Sequence, residues 1–183
     1  KGYNPTIFCA STNHFTGENI DAKGNNYILN KEDKVPFVFV DTPTYIGNGK
    51  KRIKNMIAFY KKLFPVALDY AEKYEKPDII YASSPHPLTM VAGILIAKKL
   101  RVPCVCEIRD LWPEAIFFVG KAKENSLLGK LLINGEHWIY KNADALVFLK
   151  EGDTEYLKEK KWTLEQGGDI DLNKCYYINN GVD

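Results

Sequence analysis

Two polar segments, each following a short apolar run, hold the side chains best suited to chemistry in this chain. Ser83-Ser84-Pro85-His86-Pro87 follows the run from Asp78 to Ala82, and Arg109-Asp110-Leu111-Trp112-Pro113-Glu114 follows the run from Cys104 to Ile108. The first places two hydroxyls and an imidazole where a strand gives way to a helix, with Pro85 or Pro87 suited to the first helical turn. Free backbone N–H groups and the helix dipole favour an anion at such a turn. A plainer reading covers the same spacing, with Ser84 as a helix cap and His86 as a surface residue. The second segment offers Arg109, whose planar fork suits a phosphate or carboxylate, and Asp110, which could accept from a sugar hydroxyl or cap the next helix. Charge at the end of an apolar strand must be paired or used. An internal bridge from Arg109 to Glu107 or Asp110 therefore stands beside the ligand role.

Other chemistries find less support. The sequence contains neither a Walker-type phosphate loop nor a G-x-G-x-x-G dinucleotide fingerprint. Of Cys9, Cys104, Cys106 and Cys175, three sit in apolar runs and read as buried, reduced thiols. Cys104 and Cys106 share one strand face but lack the second Cys or His pair that zinc needs. Asp169 and Asp171 lie in a Gly-rich loop and read as solvated, so no metal site is expected. His14, in a polar loop after the first strand, could face a ligand crevice, whereas His137 beside Trp138 reads as structural.

The elements that must position these residues alternate along the chain. Apolar runs rich in β-branched and aromatic residues at 6–10, 36–40, 78–82, 102–108, 143–149 and 174–178 predict strands. Helical spacing or caps mark 49–74, 87–100, 112–119, 126–140 and 154–161. Pro65 is expected to kink or break the first helix, and the polar stretch from Ser11 to Asp33 reads as a loop holding at most a small hairpin. Alternation over 183 residues predicts a single α/β domain with a doubly wound, mainly parallel sheet, whose ligands sit at the strands' carboxyl ends. Because a strand begins almost at once, the sheet is expected to lack its first strand and helix, which residues upstream would supply.

Charge is nearly balanced, at net +2, so nothing calls for nucleic acid as a partner. No run of about 18 apolar residues and no secretory leader is present, which points to a cytoplasmic protein. Basic residues nevertheless cluster locally. Lys50, Lys51, Arg52, Lys54, Lys61 and Lys62, interleaved with Phe59 and other apolar residues, resemble a basic amphipathic helix suited to an anionic membrane surface. A core-packed helix with a solvated lysine face is the commoner alternative.

Taken in order, the segments from Pro77 to Pro87, Glu107 to Glu114, Ala143 to Leu149 and Ile178 to Asp183 resemble the N-terminal domain of family 4 glycosyltransferases of the GT-B fold. The resemblance spans nearly the whole chain and is nearest to the bacterial branch that builds O-antigen and capsular polysaccharide. It implies one Rossmann-like half of a two-domain enzyme, residues 1–183, ending at the interdomain hinge near Asn180-Gly181-Val182-Asp183. It also implies retaining transfer of a hexosyl or N-acetylhexosaminyl group from a nucleoside-diphosphate sugar to a lipid-linked or saccharide acceptor, without an essential metal. A missing C-terminal domain would carry the donor, so this half alone would be inactive. On that resemblance Ser83, Ser84, His86 and His14 face the acceptor, and Arg109 and Asp110 are the catalytic pair. Many members carry His-Asp where this chain has Arg109-Asp110. A guanidinium cannot exchange protons near neutral pH, so Arg109 is cast as an electrostatic clamp on phosphate. The rival expectation is a non-catalytic Rossmann-like module that binds a phosphorylated sugar or an anionic lipid. The enzyme itself would sit in the cytoplasm, at the inner face of the plasma membrane.

Overall fold

The computed structural model describes residues 2–47, 49–84, 86–118, 120 and 122–181. Pro85, Val182 and Asp183, part of the motifs above, lie outside the described residues. The chain divides into two compact units, residues 1–76 and 77–183.

In the first unit β1 (Ile7–Ala10) runs parallel to β3 (Phe37–Val40), and β2 (Tyr27–Asn30) pairs with the other edge of β3 antiparallel. Strand β2 lies inside the stretch read as a loop. Its four residues carry no clean alternation, and only the hydrogen bonds to β3 make it a strand. Val38 and Val40, on one face of the central strand, are fully buried. Helix α1 (Lys50–Lys73) packs on β3 and buries Phe59, Leu63 and Val66. Pro65 neither breaks nor ends it. The bond that proline forfeits would have reached the carbonyl of Lys61, an exposed residue of the helix.

The second unit is a four-stranded parallel sheet in the order β4 (Ile80–Ser83), β5 (Cys104–Ile108), β6 (Ala145–Phe148), β7 (Cys175–Tyr177). Helices α2 (Pro87–Leu100), α3 (Glu114–Phe118), α4 (Leu127–Asn142) and α5 (Asp153–Glu159) fall between the strands. This is the α/β, Rossmann-like, parallel architecture expected. Strands β1 and β4 belong to separate ladders.

Period-two alternation along β5 puts Cys104, Cys106 and Ile108 into the core and leaves Val105 and Glu107 on the opposite face. Leu146 and Phe148 continue that core layer, closed by Ile94 of α2 and by Ile139 and Tyr140 of α4. Gly93 allows α2 to lie close on the sheet, since a Cβ there would stand 2.6 Å from the Cβ of Ala82. Helix α4 starts as the sequence indicates, with the Ser126 hydroxyl accepting from the Gly129 N–H at 3.0 Å.

Candidate functional site

The carboxyl ends of β4 and β5 converge on Glu107. Its Oε2 accepts from the Tyr81 hydroxyl at 2.6 Å, and its Oε1 accepts from the Ser83 hydroxyl at 3.1 Å. Arg109 Nη1 donates to the same Oε1 at 3.3 Å, so of the two readings of Arg109 the internal bridge is present. The Glu107 side chain is 13% exposed and that of Arg109 is 50% exposed, so the bridge anchors one end of a guanidinium that still meets solvent. Burial and the Glu107 carboxylate together hold the Tyr81 hydroxyl well above its ordinary range, keeping it a donor. Tyr81 and Glu107 were not among the expected ligand residues. They face each other only through the register that sets Tyr81 opposite Val105 and Ser83 opposite Glu107.

Ser84 stands behind this surface rather than on it. It is fully buried; its N–H donates to the Glu107 carbonyl at 3.1 Å and its hydroxyl accepts from the Arg109 N–H at 3.1 Å. The two bonds extend the ladder past the strand ends and hold the loop of Arg109 to the loop of Ser83. Ser84, expected as an acceptor contact or a helix cap, is a brace between the loops. The N-cap position of α2 belongs to His86, followed by Pro87 at the first turn. His86 is 8% exposed, so it is not the surface residue of the plainer reading.

Asp110 lies in the open, with Lys150 Nζ 3.8 Å from its Oδ1. Lys150 follows β6, so the polar edge spans three strand ends. Asp153, at the start of α5, has its carboxyl pushed up by partial burial and by the nearby Asp110 charge, against the pull of Lys150. Lys150 was not anticipated, because no local pattern distinguishes it from other surface lysines.

His14 belongs to the first unit, where its Nδ1 is 2.9 Å from the Tyr45 hydroxyl. Beside it, the carboxyl ends of β1 and β3 carry a buried polar cluster. The Thr42 N–H donates to the Ser11 hydroxyl at 3.0 Å, and Asn55 of α1 donates to Thr42 Oγ1 at 3.0 Å and to the Pro43 carbonyl at 2.8 Å. Of the basic helix, Lys50, Lys51, Lys54 and Lys61 are exposed, and Ile53 and Ile57 are exposed among them. Phe59, expected at a membrane face, is 7% exposed and packs inward. Lys62 is ion-paired with Asp41, and Arg52 is partly buried.

The remaining candidates resolve as structural groups. His137 Nε2 and Lys141 Nζ both bind the carboxylate of Asp169, at 2.7 and 2.8 Å. Asp171 accepts from the Asn173 N–H. Cys104 and Cys106 sit with their sulfurs 4.0 Å apart inside the core. Among the described residues no three of His, Cys, Asp or Glu gather as a metal site would require, and no helix is long and apolar enough to cross a membrane.

One buried acid lies below the site. Glu136 of α4 accepts from the hydroxyls of Tyr140 at 2.8 Å and Tyr156 at 2.7 Å. Burial pushes its carboxyl up to about 8, against the pull of those two hydrogen bonds. Tyr156 also reaches Glu114 at 3.4 Å, and Glu114 and Glu124 share Lys160. The cluster thus ties the start of α3, just beyond Arg109-Asp110, to α4 and α5.

A model of the glycosyl transferase 4-like domain matches residues 29–163 of the chain. Among solved structures, sucrose-phosphate synthase from Thermosynechococcus elongatus matches with a TM-score of 0.66 at 13% identity, a likeness of fold. The match covers 100% of this chain and 39% of that protein. No curated protein matches at a significant level.

Proposed function

Since the chain belongs to the glycosyl transferase 4-like family, we propose that it is the acceptor-side half of a retaining glycosyltransferase, moving a hexosyl or N-acetylhexosaminyl group from a nucleoside-diphosphate sugar. The acceptor is a lipid-linked or cell-surface saccharide, and the setting is the cytoplasmic face of the plasma membrane, in bacterial O-antigen or capsule synthesis. The observation that carries this reading is the half-exposed guanidinium of Arg109 at the end of β5, held at one nitrogen by Glu107. A fixed cation with free donors is what a departing diphosphate requires, since charge develops there as the sugar is transferred. Asp110 and Lys150 lie at the same polar edge. The barrier is lowered by that charge and by positioning, and no metal ion takes part. The donor's other contacts belong to a second domain.

The full-length protein, given a set of nucleoside-diphosphate sugars and lipid-linked acceptor, is expected to transfer sugar with the anomeric configuration kept and with the rate unchanged by EDTA. Inversion of configuration, or a rate abolished by EDTA and restored by a divalent cation, would overturn the mechanism.

The exposed lysines of α1 with Ile53 and Ile57 support contact with an anionic membrane. Reversing Lys50, Lys51 and Lys54 to Glu is expected to weaken binding to vesicles containing anionic lipid in low salt, where charges are least screened. Equal binding of the variant, or equal binding of the native protein to neutral vesicles, would remove α1 from that role.

A further inference from the structure

Glu107 offers two carboxylate oxygens to three side-chain donors, and the way they are shared decides how Arg109 is presented. Oε2 takes the Tyr81 hydroxyl, at 2.6 Å the shortest of the three bonds. Oε1 is divided between the Ser83 hydroxyl at 3.1 Å and Arg109 Nη1 at 3.3 Å. Arg109 is therefore held through one nitrogen, by the longest bond of the set, although its partner lies only two residues away in the chain.

A guanidinium and a carboxylate this close tend to meet fork on fork, through two parallel N–H···O bonds. At this site the second oxygen is already taken. Tyr81 stands opposite Val105 in the ladder, so its side chain crosses diagonally, two residues along β5, to reach Glu107. The terminal torsion of a glutamate is broad, and Ser83 bonds only Oε1. Without the tyrosine hydroxyl, Oε2 would be open to a second nitrogen of Arg109, and the fork would be spent on its own anchor.

We propose that Tyr81 is a positioning residue: by occupying Oε2 of Glu107 it limits the carboxylate to one bond with Arg109 and leaves the rest of the guanidinium fork for the donor's diphosphate. Its action runs through Glu107 alone. The inference rests on the role given to Arg109 under the proposed function.

Tyr81→Phe removes the hydroxyl and keeps the ring. In the full-length protein, supplied with nucleoside-diphosphate sugar and lipid-linked acceptor, this change is expected to lower kcat by about tenfold, because Arg109 then closes on both oxygens of Glu107. An ammonium has no planar fork to close. Combined with Arg109→Lys, Tyr81→Phe is therefore expected to leave kcat where Arg109→Lys alone sets it. A second readout needs no catalysis: labelling of Arg109 by phenylglyoxal, followed by mass spectrometry, is expected to be at least about threefold slower in Tyr81→Phe, since a doubly bonded guanidinium is less open to the reagent. The thermal midpoint should not fall, because Glu107 exchanges one donor for another. Native kcat in Tyr81→Phe, or labelling as fast as in the native protein, overturns the proposal. So does an equal fall in kcat with Arg109 and with Arg109→Lys, which would place Tyr81 against a substrate. If Arg109→Ala transfers sugar at the native rate, the reading of the site fails, while slowed labelling in Tyr81→Phe still shows the hydroxyl keeping the fork open.

Discussion

Replacing Arg109 by alanine in the full-length protein is expected to lower kcat for sugar transfer by at least about 100-fold. The fold should barely notice, because the side chain is half exposed and its one bridge is partly solvated. Glu107 keeps two other donors, Tyr81 and Ser83, so the carboxylate left behind is not stranded. Arg109→Lys is expected to recover only part of the rate. An ammonium keeps the charge but not the planar fork, which can bridge Glu107 and a phosphate at once. Steady-state kinetics of the two variants beside the native protein, with unfolding curves as a control, decides the matter. A kcat within a few-fold of native for Arg109→Ala would remove this residue from the chemistry and leave it as a strand-end bridge to Glu107.

The second large effect concerns stability rather than rate. Glu136 is held at about 8 against an ordinary 4.5, chiefly by burial. Below pH 4.5 the carboxyl is protonated in both folded and unfolded chains. Between 4.5 and 8 the unfolded chain releases its proton while the folded one keeps it, so stability falls as pH rises. Above 8 the folded protein carries a buried carboxylate and the loss is complete. The shift sets a ceiling of roughly 4–5 kcal/mol, and relaxation of the Tyr140, Tyr156, Glu114 and Lys160 cluster reduces it to about 2–3 kcal/mol. Glu136→Gln keeps the volume and offers an oxygen to Tyr140, with no charge to bury. Urea unfolding at several pH values should show the variant near native stability at pH 5, more stable than native at pH 8.5, and flatter between. Parallel pH profiles for the two proteins would mean that the native acid titrates normally and that burial does not govern it.

Both effects depend on residues whose roles the linear pattern conveys unequally. Arg109 stands out in the sequence because a charged residue directly follows an apolar strand. Its partner was open between Glu107 and Asp110, and in the folded protein it is Glu107, two residues earlier in the chain. Glu136 sits in a helix whose spacing looks ordinary, and nothing local marks a glutamate as buried. Its two tyrosine partners, Tyr140 and Tyr156, lie 4 and 20 residues away. The first pairing follows from one helical turn; the second exists only once α5 folds against α4.

What the sequence by itself determined is the fold class of the protein and the place of the polar edge at its strand ends. Strand and helix periods, the Ser126 cap and the motifs flanking Ser83 and Arg109 are local properties, set by side-chain sterics and hydrogen bonding within a few residues. Tertiary structure alone decided which of those side chains face outward. The ladder between β4 and β5 turned Ser84 into a buried brace and brought Tyr81 and Ser83 to Glu107. Packing of α1 on β3 took Phe59 inward, and pairing with β3 made a strand of residues 27–30. The physical reason is the same in each case. Each is a relation between residues on different elements, and only the folded chain brings such partners into contact.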